Sequence, residues 1–381
     1  MFSFISLKSQ KFLFGVFASF IFFATFFIPT LASAQELHND HQGTWKAKVV
    51  EVIDERYEEL FDTELLIQTL SLEILEGPKK GNIIQIENDF QEFKKGSRVY
   101  INHNIAIDGQ ENYMIINVAR QGPLLLLLGI FVLAVIAFGR WQGVRSLLAL
   151  VASFLAIVYV LIPGILNGWN PLFASFLVAA TILFAAIFFT HGFNRESAVA
   201  YAGTMIAVVI SGLFAIFAVH ITQLTGFAAE EAVYLNFNTG GSINFTALLL
   251  GAFIIGFLGV LDDIAITQAA VVSELYASNP DITRREVYSR AMRVGREHVG
   301  ALVNTLVLAY TGASLPLLLY FNGASSGFSS TINLEIFATE IVRIIVGSIG
   351  LILTVPIVTL LAVRYLKGYE SKHGHHHGHG H

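Results

Sequence analysis

The stretch TALLLGAFIIGFLGVLDDIAITQAAVV, Thr246–Val272, decides how this chain is to be read. It is long enough to cross a hydrocarbon core of about 30 Å, for which roughly 20 apolar residues suffice. Yet it carries Asp262 and Asp263 in its interior. Carboxylates at that depth are costly, so they are expected to be buried in a helix bundle, partnered and functional. A second stretch, VGREHVGALVNTLVLAYTGASLPLLLY, Val294–Tyr320, repeats the pattern with Asn304 inside an apolar run.

Outward from these segments, the composition agrees. The 381 residues are 54% hydrophobic and only 13% charged, against roughly 25% charged in soluble domains. Seven apolar runs are expected to cross a membrane, at about residues 123–139, 146–166, 171–190, 197–221, 246–271, 299–321 and 341–363. With no cysteine in the chain, disulfides and thiolate metal sites are excluded.

Loop charges give the orientation. Arg140, Arg145, Arg195, the cluster Arg284, Arg285, Arg290, Arg293 and Arg296, and then Arg364, Lys367 and Lys372 fall in alternate connections. The intervening loops 167–170, 222–245 and 322–340 hold no Lys or Arg. The positive-inside rule therefore puts the C-terminus in the cytoplasm and the region before the first span outside. The arginines themselves read as topology setters, with anionic lipid headgroups as a further use. The N-terminus fits this orientation, because Lys8 and Lys11, the apolar run Phe12–Ile28 and Ala32-Ser33-Ala34 form a signal-peptide pattern.

The expected organisation is a signal peptide at 1–34, an extracytoplasmic β-domain at 35–122, a helical bundle at 123–366 and a cytoplasmic tail at 367–381. In the β-domain, runs at Trp45–Val52, Leu65–Leu75, Asn82–Glu87, Arg98–Asn102 and Tyr113–Val118 are separated by turn signals such as Gly77-Pro78-Lys79-Lys80-Gly81. Five short strands suggest a small antiparallel barrel or sandwich resembling an OB-fold. Its excess of carboxylates argues against a nucleic-acid partner.

Helical spacing sharpens the candidate site. Ala252, Gly256, Gly259, Asp263, Thr267 and Ala270 share one face, and Gly300, Asn304, Val307, Thr311 and Ser314 share another. Two stripes of small and polar residues are expected to meet, so that Asp263, Thr267 and Asn304 converge in one pocket. Asp262 lies beside the stripe, and Gln268 lies one residue beyond Thr267 along the same helix. Such oxygen donors suit a hard cation, and a buried carboxyl could equally carry a proton. The chain is not expected to be an enzyme. Adjacent aspartates point about 100° apart on a helix, and neither GxSxG nor HExxH occurs. No nucleotide-binding signature suggests ATP drive.

Residues Gly259-Val-Leu-Asp-Asp263-Ile-Ala-Ile-Thr-Gln268, Gly295-Arg-Glu-His298, Val303-Asn-Thr-Leu-Val-Leu-Ala-Tyr310 and Ser314-Leu-Pro-Leu317 resemble the YibE/F-like family of bacterial membrane proteins. The resemblance extends to the order of signal segment, exported β-domain and multi-span bundle. It implies an Asp at the position of Asp263 and a multi-pass plasma-membrane protein suspected of transport, and leaves the substrate and any cofactor unnamed.

Smaller features complete the reading. His373, His375, His376, His377, His379 and His381 form a tail of imidazoles suited to Zn²⁺, Ni²⁺ or Cu²⁺. His298 beside Glu297 and His220 read as interfacial residues, and Arg343 is expected to pair with Glu340 three residues earlier. The expected partners are the bilayer and a small ion or small-molecule substrate, with homo-oligomerisation left open. Two functions compete: an ion- or proton-coupled transporter or channel, and a membrane scaffold or receptor that binds a partner through its β-domain.

Overall fold

The computed structural model describes residues 43–60, 63–89, 91–105, 110–322 and 327–368. The signal segment and the histidine tail lie outside the described residues. Two compact units meet in sequence between Ala137 and Phe138.

The first unit is built on five antiparallel strands: β1 (Gly43–Leu60), β2 (Thr63–Ile74), β3 (Ile83–Asn88), β4 (Arg98–Ile105) and β5 (Glu111–Val118). Their order is β3-β2-β1-β4-β5, and the outer strands β3 and β5 approach each other to form a half-barrel. Alternate residues point to one face of a strand. Trp45, Ala47 and Val49 of β1, Leu70, Leu72 and Ile74 of β2, and Val99 and Ile101 of β4 accordingly form one core. Such side chains contribute about 1.5–3 kcal/mol each when fully buried. The first strand runs eight residues past its expected end at Val52. Register shifts at Val49/Glu51 and Val52/Asp54 let it bend while pairing with β2 as far as Leu60. Buried Gln68 secures the strap after β3, donating from Nε2 to the Phe93 carbonyl and accepting from the Phe93 amide at 2.7 Å.

The second unit is helical. Numbered in chain order, its elements are α1 (Gln121–Ala156), which begins in the first unit, a π-helical turn (Ile157–Leu161), α2 (Ile162–Leu166), α3 (Pro171–His191), α4 (Arg195–Ile221) and α5 (Glu230–Asn238). Then come α6 (Phe245–Ser278), α7 (Arg284–Ala313), α8 (Leu315–Asn322), α9 (Phe328–Ile332) and α10 (Glu335–Tyr365). Starts are set by side chains that accept otherwise orphaned amide donors. Asn170, Asn194 and Asn244 accept from Phe173, Ser197 and Ala247, and Thr283 from Glu286.

Five helical segments are long and apolar enough to cross a bilayer: 121–166, 171–191, 195–221, 245–278 and 335–365. Three of the seven expected spans take a different form. The first two lie in one 46-residue helical run. Where a loop was expected there is a break at one residue, Arg140, with φ 49° and ψ −131°. The intervening Arg-Trp-Gln-Gly-Val-Arg contains no proline and mostly tolerates helix, so only a single residue leaves it. The expected sixth span is divided between α7 and α8 at Ser314–Leu315, where Pro316 cannot continue the hydrogen-bond ladder. The charged residues of α7 all lie between Arg284 and Glu297, in its first half.

At the centre of the helical unit is α6, packed against α3, α4, α7 and α10. Phe253, Leu261, Ala265, Ala269 and Val272 are completely buried along it. The α4–α10 contact is close because Gly203 has no side chain. A Cβ there would lie 2.6 Å from Val358 Cγ2.

One ionic cluster in the sheet has a pH consequence. Glu111 of β5 accepts from Lys79 Nζ and from the Tyr113 hydroxyl, holding its carboxyl down from an ordinary 4.5 to about 2. A depressed folded-state value means the stabilisation is complete above pH 4.5 and is lost as pH falls toward 2. A carbon-13 carboxyl NMR titration should place Glu111 near the lower value, and Lys79→Ala should move it upward.

Candidate functional site

Packing gives α6 a buried arc and an exposed one. Buried Phe253, Phe257, Ile264 and Gln268 lie on one side, and the small-residue stripe lies on the other. Ala252, Gly256, Gly259, Asp263, Thr267 and Ala270 are all exposed within the described residues. Tyr310 of α7 reaches one of them, with its hydroxyl 3.3 Å from where a Gly256 Cβ would stand. The Thr267 hydroxyl donates to the Asp263 backbone carbonyl at 2.8 Å. That bond occupies the hydroxyl proton and leaves the Asp263 carboxylate to other partners.

Its electrostatic neighbours lie on two other helices. The charge of Asp263 interacts with His191, the last residue of α3, and with His298 of α7. Glu196, in the first turn of α4, also acts electrostatically on His191 and accepts a 2.6 Å hydrogen bond from Ser273 of α6. Asp262, half-buried beside Asp263, shares a mutual repulsion with it. These side chains of α3, α4, α6 and α7 are thus linked by electrostatic interaction. Sequence reasoning missed His191 and Glu196. Their only signal was that they flank the short Gly-Phe-Asn-Arg segment that follows an apolar helix.

The other predicted residues are placed differently. Gln268 is turned away from Asp263 and 2% exposed. Its Nε2 donates to the Ala291 carbonyl of α7 (2.9 Å) and to Thr359 Oγ1 of α10 (2.8 Å). Gly295 makes room for it, since a Cβ there would collide with Val355 and come within 3.0 Å of Gln268 Oε1. Gln268 is thus the knot of three helices. On α7 the inward face is Val287, Ala291, Gly295 and Leu306. Asn304 therefore sits about 160° around from Leu306, and Gly300, Asn304 and Thr311 are exposed. The two stripes do not face one another, because α7 docks through its other side.

Arg343 pairs with Glu340 at 2.6 Å, as their spacing suggested. Because α10 starts at Glu335, the pair is already more than a turn inside the helix. The guanidinium also stacks 5.5 Å from the Phe253 ring and 5.8 Å from the Tyr310 ring, so it ties α10 to α6 and α7. At the same end of α10, Glu335 accepts from the amides of Thr225 and Gly226, both at 2.8 Å, and from the Thr225 hydroxyl. This clamps the loop after α4. His220 and Gln223 line an open cavity of about 640 Å³ beside that loop, with Phe227 and Phe245. Among the described residues, no group of three or more His, Asp or Glu side chains is disposed to hold a metal ion. The histidines proposed for metal, His373–His381, fall outside that set.

A half-barrel sheet followed by a bundle of long apolar helices, with a charged cluster on the central one, defines a membrane-embedded helical protein. Residues 127–368, more than half of the chain, match the family model described as YibE/F-like protein, and the chain belongs to that family. Neither the curated proteins nor the solved structures contain a match.

The Gln268 knot and the Asp263 cluster should respond oppositely to substitution. Gln268→Ala removes two buried hydrogen bonds between helices and should cost about 1–3 kcal/mol. Asp263→Asn, on the exposed arc, should leave stability nearly unchanged. Thermal unfolding of the detergent-solubilised protein checks both.

Proposed function

We propose that the chain is an ion- or proton-coupled secondary transporter or channel, with Asp263 as its ion or proton site. The observation that carries this is an aspartate midway along the central apolar helix, facing away from the core and acting electrostatically on two histidines. Hydrocarbon alone would not hold such a group, so it needs water, an ion or a partner there. Imidazoles exchange protons near neutral pH, and His191 and His298 offer a relay to Asp263. Thr267, its proton committed to the backbone, presents oxygen lone pairs one turn away. Asp262 adds a second carboxyl, while Gln268 serves to hold the helices together. Asn304 and Thr311 enter the reading only through whatever covers the outer face of α7.

The accompanying topology comes from the arginine pattern, with the sheet unit outside a bacterial plasma membrane and the C-terminus inside. The half-barrel reads as an OB-like module, which its strand order supports. Catalysis has no part in this proposal. One observation favours the scaffold or receptor reading: Ile53, Tyr57 and Met114 are large apolar residues exposed on the sheet unit, a pattern suited to a protein partner.

Reconstitution into liposomes tests the transport reading. Proton and cation fluxes, read with internal dyes, should be measurable for the wild type and fall to background in folded Asp263→Asn. His191→Gln should slow proton flux while sparing insertion. Absence of flux from inserted wild-type protein across the ion panel would overturn the reading.

A further inference from the structure

The sheet unit buries one titratable ring that none of the chemistry above uses. His103 of β4 is completely buried, and neither of its ring nitrogens has a hydrogen-bond partner. Buried polar atoms are nearly always paired, so each exception needs a reason. The ring is held by stacking. Trp45 of β1 lies with its centroid 4.6 Å away, and Tyr113 of β5, opposite His103 in the strand register, at 4.7 Å. Stacking uses the ring faces and does nothing for the nitrogens. In neutral imidazole one nitrogen bears a proton, here without an acceptor, and the other a lone pair, here without a donor.

One charge is placed close to Nε2. Glu111 Oε2 lies 3.6 Å away, just beyond hydrogen-bond length. The Tyr113 hydroxyl donates to the same Oε2 at 2.8 Å, and Lys79 Nζ donates to Oε1. Lys79 belongs to the turn at 77–81, which rests on the same indole: a Cβ at Gly77 would lie 2.7 Å from Trp45 Nε1. The side chains therefore close a circuit, from Trp45 through His103, Tyr113, Glu111 and Lys79 and back along the turn. Lys46 and Glu76, next in sequence to Trp45 and Gly77, are paired with each other. Glu111 keeps its charge wherever an imidazole titrates, because Lys79 and Tyr113 hold its carboxyl at about 2.

We propose that His103 is a proton-operated latch in the sheet unit. A proton taken up from water at Nε2 gives the Glu111 carboxylate a third donor, after Lys79 and Tyr113, and ties β4 to the group that anchors the turn. The gap of 3.6 Å then closes to the roughly 2.8 Å of a charge-assisted bond. With the ring neutral, His103 meets its neighbours through stacking alone. The latch works whether or not the bundle transports ions, because it involves neither Asp263 nor its histidines.

Trp45 fluorescence in the full-length protein tests it, with Trp141 and Trp169 replaced by Phe so that one of the 3 indoles remains. A charged imidazole quenches a stacked indole more than a neutral one. Emission should therefore fall on acidification as one proton binds, within about pH 5–8. His103→Phe, which keeps the stack and removes the proton site, should give a flat titration. Glu111→Gln should lower the midpoint by about one pH unit, since it removes an opposite charge a few ångströms away. Lys79→Ala, which removes a competing cation, should raise it. Across the same transition the protection of the Gly81 amide, which donates to the Ile74 carbonyl, should rise about fivefold by hydrogen exchange, the worth of one net hydrogen bond. Thermal unfolding followed by Trp45 emission shows whether each variant keeps its sheet unit folded. A flat wild-type titration, a transition surviving His103→Phe, a midpoint unmoved by Glu111→Gln, or Gly81 protection unchanged across the transition would each overturn the latch.

Discussion

The placement of a carboxylate on a helix long and apolar enough to cross a bilayer is the constraint on which the helical unit depends. Asp263 occupies the middle of α6, the helix that packs against four others. Packing could have hidden that aspartate inside the core, but the core arc is filled by Phe253, Phe257, Leu261 and Ile264 instead. The carboxylate is left on the opposite arc, among small residues and within electrostatic reach of His191 and His298. The arrangement gives one helix two sides: an apolar side that holds the bundle, and a side of small and polar residues left outside the packing.

The rigid side is reinforced by polar contacts that would be too costly to break. Gln268 joins α6 to α7 and α10, Tyr276 donates to the Val363 carbonyl of α10, and Ser273 donates to Glu196 of α4. In a bilayer, apolar side chains have no preference for protein over lipid, so association relies on close packing and such hydrogen bonds. Glycines at 203 and 295 allow the approach, and the Glu340–Arg343 pair with its aromatic neighbours closes the opposite end of the same interface. The Asp263 carboxylate, five residues from the Gln268 knot, is therefore held on a well-fixed backbone.

Much of the sheet unit was legible because alternation with period two reports directly which face is buried. All five strands occur close to their expected positions. The extension of β1 past Val52 was hidden by its bulges, which break the alternation that would have revealed it. The helices were legible as apolar runs, and Asp262, Asp263 and the Glu340–Arg343 spacing were visible within them. Their facing was not. In α6 the hydrophobic residues surround the helix almost evenly, so the small-residue stripe looked like a contact surface when packing left it outside. The same ambiguity turned Asn304 and Thr311 outward and drew Gln268 inward.

By itself the sequence determined that the chain embeds in a membrane, where its long helices and five strands fall, and that one helix carries acid at its centre. These follow from composition, length and local periodicity, which act over a few neighbouring residues. Only the tertiary structure decided which arc of α6 is core, that Gln268 binds α7 and α10, and that His191 and His298 lie within electrostatic reach of Asp263. The reason is physical: lipid and protein interior are both apolar, so a lipid-facing side and a core-facing side look alike in sequence. The choice between them is made by close packing and hydrogen bonds between residues far apart in the chain.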